Sequence, residues 1–119
     1  MKRSFLRAKI HRAGVTRVDV EYVGSLSLDE DLMNAAGLLP FERVDVYNVT
    51  NGKRFSTYVI KAARGSREVG VFGAAGRKAG PGDVLIVAAY ALLEESELEF
   101  FRPRVVILGE GNVIAEIRS

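Results

Sequence analysis

Gly24-Ser25 places a hydroxyl beside a glycyl carbonyl where a strand-like run ends. Glycine admits backbone conformations closed to other residues, and a carbonyl held in such a place can be twisted and strained. The chemistry on offer is attack by Ser25 on its own backbone, an autocatalytic cleavage. The alternative is a plain strand-ending turn. Two further groups of residues have the types for chemistry. Lys9 and His11 project from one side of a predicted strand, about 7 Å apart along it, and their alternative is a solvated strand face. Arg54, Ser56, Tyr58 and Ile60 share one face of another predicted strand, with Phe55, Thr57 and Val59 on the other. Gly73-Ala74-Ala75-Gly76 is a run of small residues that lets a ligand or another backbone approach closely. Its alternative is a loop joined to a helical turn.

The elements that position these residues are mostly strands. Ser4 to Arg12 alternates, with Leu6, Ala8 and Ile10 on the apolar side. After a turn at Ala13-Gly14, Thr16 to Val23 alternates again and runs to Gly24-Ser25. Ser27-Leu28-Asp29-Glu30 has the form of a capping box and predicts a helix start at Ser27. Leu28, Leu32 and Ala35 or Ala36 make that helix's apolar stripe, and Gly37 is its stop. Glu42 to Val49 and Lys53 to Ala63 flank Asn51-Gly52, a hairpin signal in which both residues accept positive φ. Glu68 to Phe72 is a short strand. Val84 to Leu93 reads as a buried central strand. Glu94 to Phe101 reads as a polar helical turn anchored by Leu98 and Phe101. Arg104 to Leu108 and Val113 to Ile117 form a second hairpin about Gly109-Glu110-Gly111-Asn112. About seven short strands with little helix predict a mainly β fold, a small barrel or sandwich.

Bulk composition sets limits. The 119 residues are 48% hydrophobic and 27% charged, as expected of one soluble globular domain. The net charge of +2 is too small to argue for nucleic acid. With no cysteine and one histidine, disulfides, thiolate metal sites and multi-histidine metal sites are not expected. The basic N-terminus lacks the apolar segment of a signal peptide, and no apolar run approaches membrane-spanning length. A cytoplasmic protein with no membrane partner is the expectation.

Taken in order, Lys9-Ile10-His11-Arg12, Tyr22-Val23-Gly24-Ser25, Asn48-Val49-Thr50-Asn51-Gly52-Lys53-Arg54-Phe55-Ser56-Thr57-Tyr58, Arg64-Gly65-Ser66, Gly73-Ala74-Ala75 and Gly82-Asp83 resemble the bacterial pyruvoyl-dependent aspartate 1-decarboxylase family. The likeness covers nearly the whole chain, and the run from Asn51 to Tyr58 is its most specific part. The resemblance implies a small closed double-ψ β-barrel with one or two short helices, assembled as a homotetramer with active sites between subunits. It also implies a single domain, residues 1–119, that cuts itself between Gly24 and Ser25 into chains 1–24 and 25–119.

In that family the serine hydroxyl attacks the preceding carbonyl, an N-to-O acyl shift. The position of Thr57 supplies the donor to the oxyanion. Elimination and hydrolysis leave a covalently bound pyruvoyl group derived from Ser25, with no metal and no pyridoxal phosphate. Its ketone forms a Schiff base with L-aspartate and serves as electron sink while carbon dioxide leaves. Tyr58 is then implied as the proton donor. Arg54 is implied as a bidentate carboxylate grip, Lys9 as a point charge and His11 as an orienting group. Gly73, Ala74, Ala75 and Tyr47 complete the implied substrate site. The product, β-alanine, would supply pantothenate and coenzyme A synthesis. The chain departs from the family pattern at Phe72, commonly asparagine, at Tyr47, commonly tryptophan, and at Leu26. Two other function classes fit the residues less well. One is a non-catalytic β-barrel binding a small ligand or protein. The other is an RNA binder using Lys53, Arg54, Arg64 and Arg67, which lacks aromatic residues for base stacking.

Overall fold

The computed structural model describes all 119 residues. Nine strands and one α-helix follow one another as β1 (Lys2–Gly14), β2 (Arg17–Asp19), β3 (Ser25–Asp29), α1 (Glu30–Ala36), β4 (Arg43–Asn48), β5 (Arg54–Ala62), β6 (Val69–Phe72), β7 (Val84–Glu94), β8 (Arg104–Leu108) and β9 (Ile114–Arg118). Short 3-10 segments occupy Gly73–Lys78, Glu95–Phe100 and Glu110–Asn112. The mainly β, barrel-like architecture is the expected one. The hydrogen-bonded ladder nevertheless stays open, running β2-β6-β3-β5-β4-β7-β1-β8-β9. Its two ends are protected differently. β2 is three residues long, and β9 carries the ion pair Arg118–Glu116. Short strands and charge both discourage edge pairing.

Alternate residues of β1, β4, β5 and β8 point inward, and β3 and β6 are buried along their whole length. Ile10, Leu26, Leu28, Val44, Val46, Val59, Val69, Val71, Leu85, Val87 and Val106 fill a single core. Leu32, Met33 and Ala36 of α1 cover one side of it. β7 is central, as expected, between β4 and β1. Only its first half is buried, and Tyr90 and Leu92 are exposed. There the strand pairs with the first residues of β1.

Two expectations near the key dipeptide are corrected. The second strand does not reach Gly24. Asp19 ends it by folding back, its carboxylate accepting from the N–H of Glu21 at 3.0 Å and its carbonyl from Tyr22 at 3.3 Å. This is the local competition with the ladder that aspartate side chains offer. No helix starts at Ser27 either. Ser25–Asp29 is a strand, parallel to β5 and antiparallel to β6. Leu28 therefore belongs to the sheet, and Ser27 donates to Glu68. The cap is Asp29, whose carboxylate accepts from Asp31 N at 2.8 Å, Gly65 N at 3.1 Å and Arg67 N at 2.7 Å. Burial pushes the Asp29 carboxyl up, but these three donors together outweigh it and hold it below the ordinary value. Glu30 turns outward to Arg64. Gly37 ends α1 in the left-handed region, at φ 73°.

The Asn51-Gly52 hairpin is present, with β4 antiparallel to β5. Only Gly52 has positive φ, because the loop spans Val49 to Lys53 and Asn51 instead caps it with its side chain. The second hairpin also forms, with a 3-10 turn inside it. In Glu95–Phe100 the anchoring is weak: Leu98 and Phe101 are half-buried, and no residue of the segment is fully buried.

Candidate active site

Ser25 opens β3, and its backbone pairs with Phe72 of β6. The residue is 1% exposed, and its Oγ has no hydrogen-bond partner. A buried hydroxyl without a partner costs about 1–3 kcal/mol and so calls for a reason. The carbonyl just before it is engaged: Tyr58 donates its hydroxyl to Gly24 O at 2.7 Å. Thus one nucleophile is left free beside a carbonyl that already carries a donor.

Gly24 is fixed from behind by Gly73. A Cβ on Gly73 would lie 2.5 Å from Gly24 Cα and 2.9 Å from Gly24 N, and Gly73 has φ +70°. The small-residue segment therefore serves a backbone-on-backbone contact at the dipeptide, and 3-10 geometry carries the chain away from it. A cavity of about 290 Å³ opens in front of the pair. Gly24, Ser25, Thr57, Tyr58, Ala74 and Ala75, all singled out in the sequence, line it. Phe55, Ser56, Phe72 and Lys78 complete the wall.

The other expected substrate residues lie elsewhere on the chain. Arg54 stacks over the Tyr47 ring at 4.6 Å. The Tyr47 and Tyr90 hydroxyls are 2.8 Å apart. That hydrogen bond first, then burial, pushes the Tyr47 phenol up to about 12. The strand register explains where these groups point. Arg54 pairs with Tyr47, Tyr47 with Ile86, and Ile86 with His11, while Lys9 pairs with Ala88 in the neighbouring row. Directly paired residues share a sheet face. Arg54, Tyr47, His11 and Lys9 therefore stand on one outer face, the face that also carries Tyr58 opposite Arg43. Burial, aided by Lys9, Arg12 and Arg118, lowers the His11 pKa, and its Nδ1 is buried without a partner.

Phe72 stands where a polar side chain was expected near the dipeptide. It is 4% exposed, with the Tyr22 ring at 4.9 Å and the Arg17 guanidinium at 4.9 Å on its ring. Its ring lies back over Gly70, where a Cβ would come within 2.8 Å of it. Lys78 was not singled out in the sequence. The signal was its place two residues beyond Gly76, at the end of a small-residue run already suspected of admitting a ligand.

Residues 1–115 match the sequence model of the family described as Aspartate decarboxylase. The aspartate 1-decarboxylase of Ralstonia pickettii (strain 12J) is 52% identical over 119 residues, covering 100% of this chain and 99% of that protein. The enzyme of the same name from Bordetella avium (strain 197N) is 50% identical, covering 100% and 98%. That from Cupriavidus necator is 48% identical, covering 100% and 99%.

Proposed function

This chain belongs to the aspartate decarboxylase family, and from that premise we propose that it cuts itself between Gly24 and Ser25 and then converts L-aspartate to β-alanine and carbon dioxide. The observation that carries the reading is the unpartnered, buried Ser25 Oγ beside a Gly24 carbonyl held by Tyr58.

The hydrogen bond from Tyr58 draws electron density from the Gly24 carbonyl carbon. Ser25 Oγ, committed to nothing else, attacks that carbon. Negative charge gathers on Gly24 O, and a donor already fixed at that oxygen stabilises the charge as it forms. Thr57, on the same cavity wall, serves as a further donor as the oxygen shifts. Collapse breaks the C–N bond and leaves an ester. Loss of the Ser25 Cα proton expels Gly24 as a carboxylate. Uptake of one water and release of ammonia leave a pyruvoyl group at the head of chain 25–119. The residues present fit this group, since its precursor hydroxyl is the unpaired one and Ala74 and Ala75 leave room in front of it. When formed, the group supplies a ketone conjugated to an amide, an electron sink for decarboxylation.

The chain's own residues do the rest. Tyr58, released from the departing Gly24 carbonyl, is a phenol on the wall of the same cavity and delivers its proton to the carbon that has lost carbon dioxide. Arg54, Lys9, His11 and Tyr47 stand on the outer sheet face rather than in the cavity, so we infer that a second copy completes each site, in a homotetramer with sites between subunits. Exposed Phe41, Tyr58 and Tyr90 on this side support that face as an interface. No helix is long and apolar enough to cross a membrane. The reading places the enzyme in the cytoplasm, supplying β-alanine to pantothenate and coenzyme A synthesis.

Intact mass measurement of matured protein should give two chains, 1–24 and 25–119. Borohydride with L-aspartate should fix a covalent adduct on the larger one. A single uncut chain after prolonged incubation, or no adduct, defeats the proposal. Tyr58→Phe separates the two stages. The cut should slow with the Tyr58 donor gone but still go to completion on long incubation, with Thr57 as the hydroxyl left on the wall, and the borohydride adduct should still form. Turnover should fall at least about 100-fold, the usual worth of a general acid. Full activity in this variant would remove Tyr58 as proton donor.

A further inference from the structure

We propose that the Phe72 ring positions the Gly24–Ser25 bond by clamping the loop before it, so that the rate of self-cleavage depends on an aromatic pair, Tyr22 on Phe72. This rests on the cleavage reading above. The loop Val20–Gly24 leaves the sheet after Asp19 and rejoins it at Ser25. Asp19 pairs with Phe72 in the β2–β6 ladder, and Ser25 pairs with Phe72 in the β3–β6 ladder. Both ends of the loop are thus fixed to the backbone of one residue. The ring of that residue takes the middle of the loop: the Tyr22 ring lies 4.9 Å from it, tilted by 55°.

The Phe72 ring is itself held. Gly70 leaves it room, since a Cβ there would come 2.8 Å from the ring. The Arg17 guanidinium covers it at 4.9 Å and pairs with Glu68 at 3.7 Å. The loop, by contrast, is open to solvent: Tyr22 is 53% exposed and Val23 79%. Its internal turn is a long hydrogen bond, Tyr22 N to the Asp19 carbonyl at 3.3 Å. A segment tied only at its ends keeps freedom about its middle bonds, and a tilted aromatic pair in the middle removes much of it. That freedom matters at Gly24, which has no side chain with which to hold its own carbonyl. Attack by Ser25 Oγ needs the Gly24 carbonyl carbon close and aligned. The Tyr22 carbonyl also faces Gly73, where a Cβ would lie 3.3 Å from it. Phe72 and Gly73 therefore hold the same stretch, one through a ring and one through backbone.

The test follows, by mass, the rate at which chain 25–119 appears from protein isolated before cleavage. Tyr22→Leu should slow it about tenfold, the upper end of what one aromatic pair is worth. The melting point of the uncut chain should stay within about 3 °C of wild type, because Tyr22 lies at the surface. Tyr22→Phe keeps the ring and should cleave at the wild-type rate. Phe72→Leu should slow cleavage at least as much as Tyr22→Leu. The double variant should be no slower than Phe72→Leu alone, because the pair is already lost. Wild-type cleavage in Tyr22→Leu would overturn the proposal. A double variant slowed by the product of the two single effects would also overturn it, because two independent structural losses give that result. A wild-type chain that never cuts itself defeats the parent reading first, and this one with it. A wild type that cuts itself, with an indifferent Tyr22→Leu, defeats this one alone.

Discussion

Ser25→Ala should abolish both backbone cleavage and decarboxylation while leaving a fold at least as stable as the uncut wild type. The two halves of this result have the same cause. Ser25 Oγ is buried and bonded to nothing. A polar atom in that position has given up its hydrogen bonds to water without replacement, at about 1–3 kcal/mol. Alanine removes the atom and keeps the backbone pairing with Phe72 that places the residue in β3. The void left is smaller than a methyl group, so its cost is small beside the penalty relieved. The variant should melt a few degrees above wild-type protein isolated before cleavage. Mass measurement should show one chain indefinitely. A melting point several degrees lower would mean that the hydroxyl has a structural partner, and the case for a nucleophile held ready would go with it. Stability sacrificed at a reactive group is a common feature of functional sites.

Most of the strands and the core were legible in the sequence, because alternation of apolar residues reports burial directly, whereas β3, buried along its whole length, shows no alternation; most of the cavity wall came from the Gly24-Ser25 and Gly73-Ala74-Ala75 motifs and the family likeness. The register that gathers Arg54, Tyr47, His11 and Lys9 on one face is a matter of pairing between distant strands, which no local pattern reveals. The start of α1 at Asp29 rather than Ser27 has a related cause. Ser27 and Asp29 are both good caps, and the choice between them is made by β5 and β6, which claim Ser25–Asp29 as a strand. Asp29 then wins by serving two loop donors besides its own helix. The place of Lys78 on the cavity wall depends on how β5 and the Gly73–Lys78 segment come together, which no local pattern shows. Tyr58 was expected at the site, but its bond to the Gly24 carbonyl depends on how β5 passes Gly24, and that is tertiary.

Gly73→Ala should slow self-cleavage at least about 100-fold, and the reason lies in backbone rather than side chains. The added Cβ would fall 2.5 Å from Gly24 Cα, 2.9 Å from Gly24 N and 3.3 Å from Tyr22 O. Real Cβ atoms do not approach other heavy atoms as closely as the first two of these distances, and each obstacle is main chain that no rotamer change can clear. Alanine at φ +70° adds about 1–2 kcal/mol of its own. Relief must come from moving Gly24 away, by roughly 1 Å to reach ordinary contact. Attack requires reacting atoms about 3–3.5 Å apart and aligned, and a 1 Å error costs on the order of 100-fold. The reciprocal change makes a control in degree. A Cβ on Gly24 would meet only Phe72 O at 3.5 Å and Gly73 Cα at 3.8 Å, both ordinary contacts. Gly24→Ala should therefore be at least tenfold less damaging to cleavage than Gly73→Ala, measured as the rate at which chain 25–119 appears. If the two substitutions slow cleavage equally, the close approach of Gly73 is not what holds the scissile bond in place.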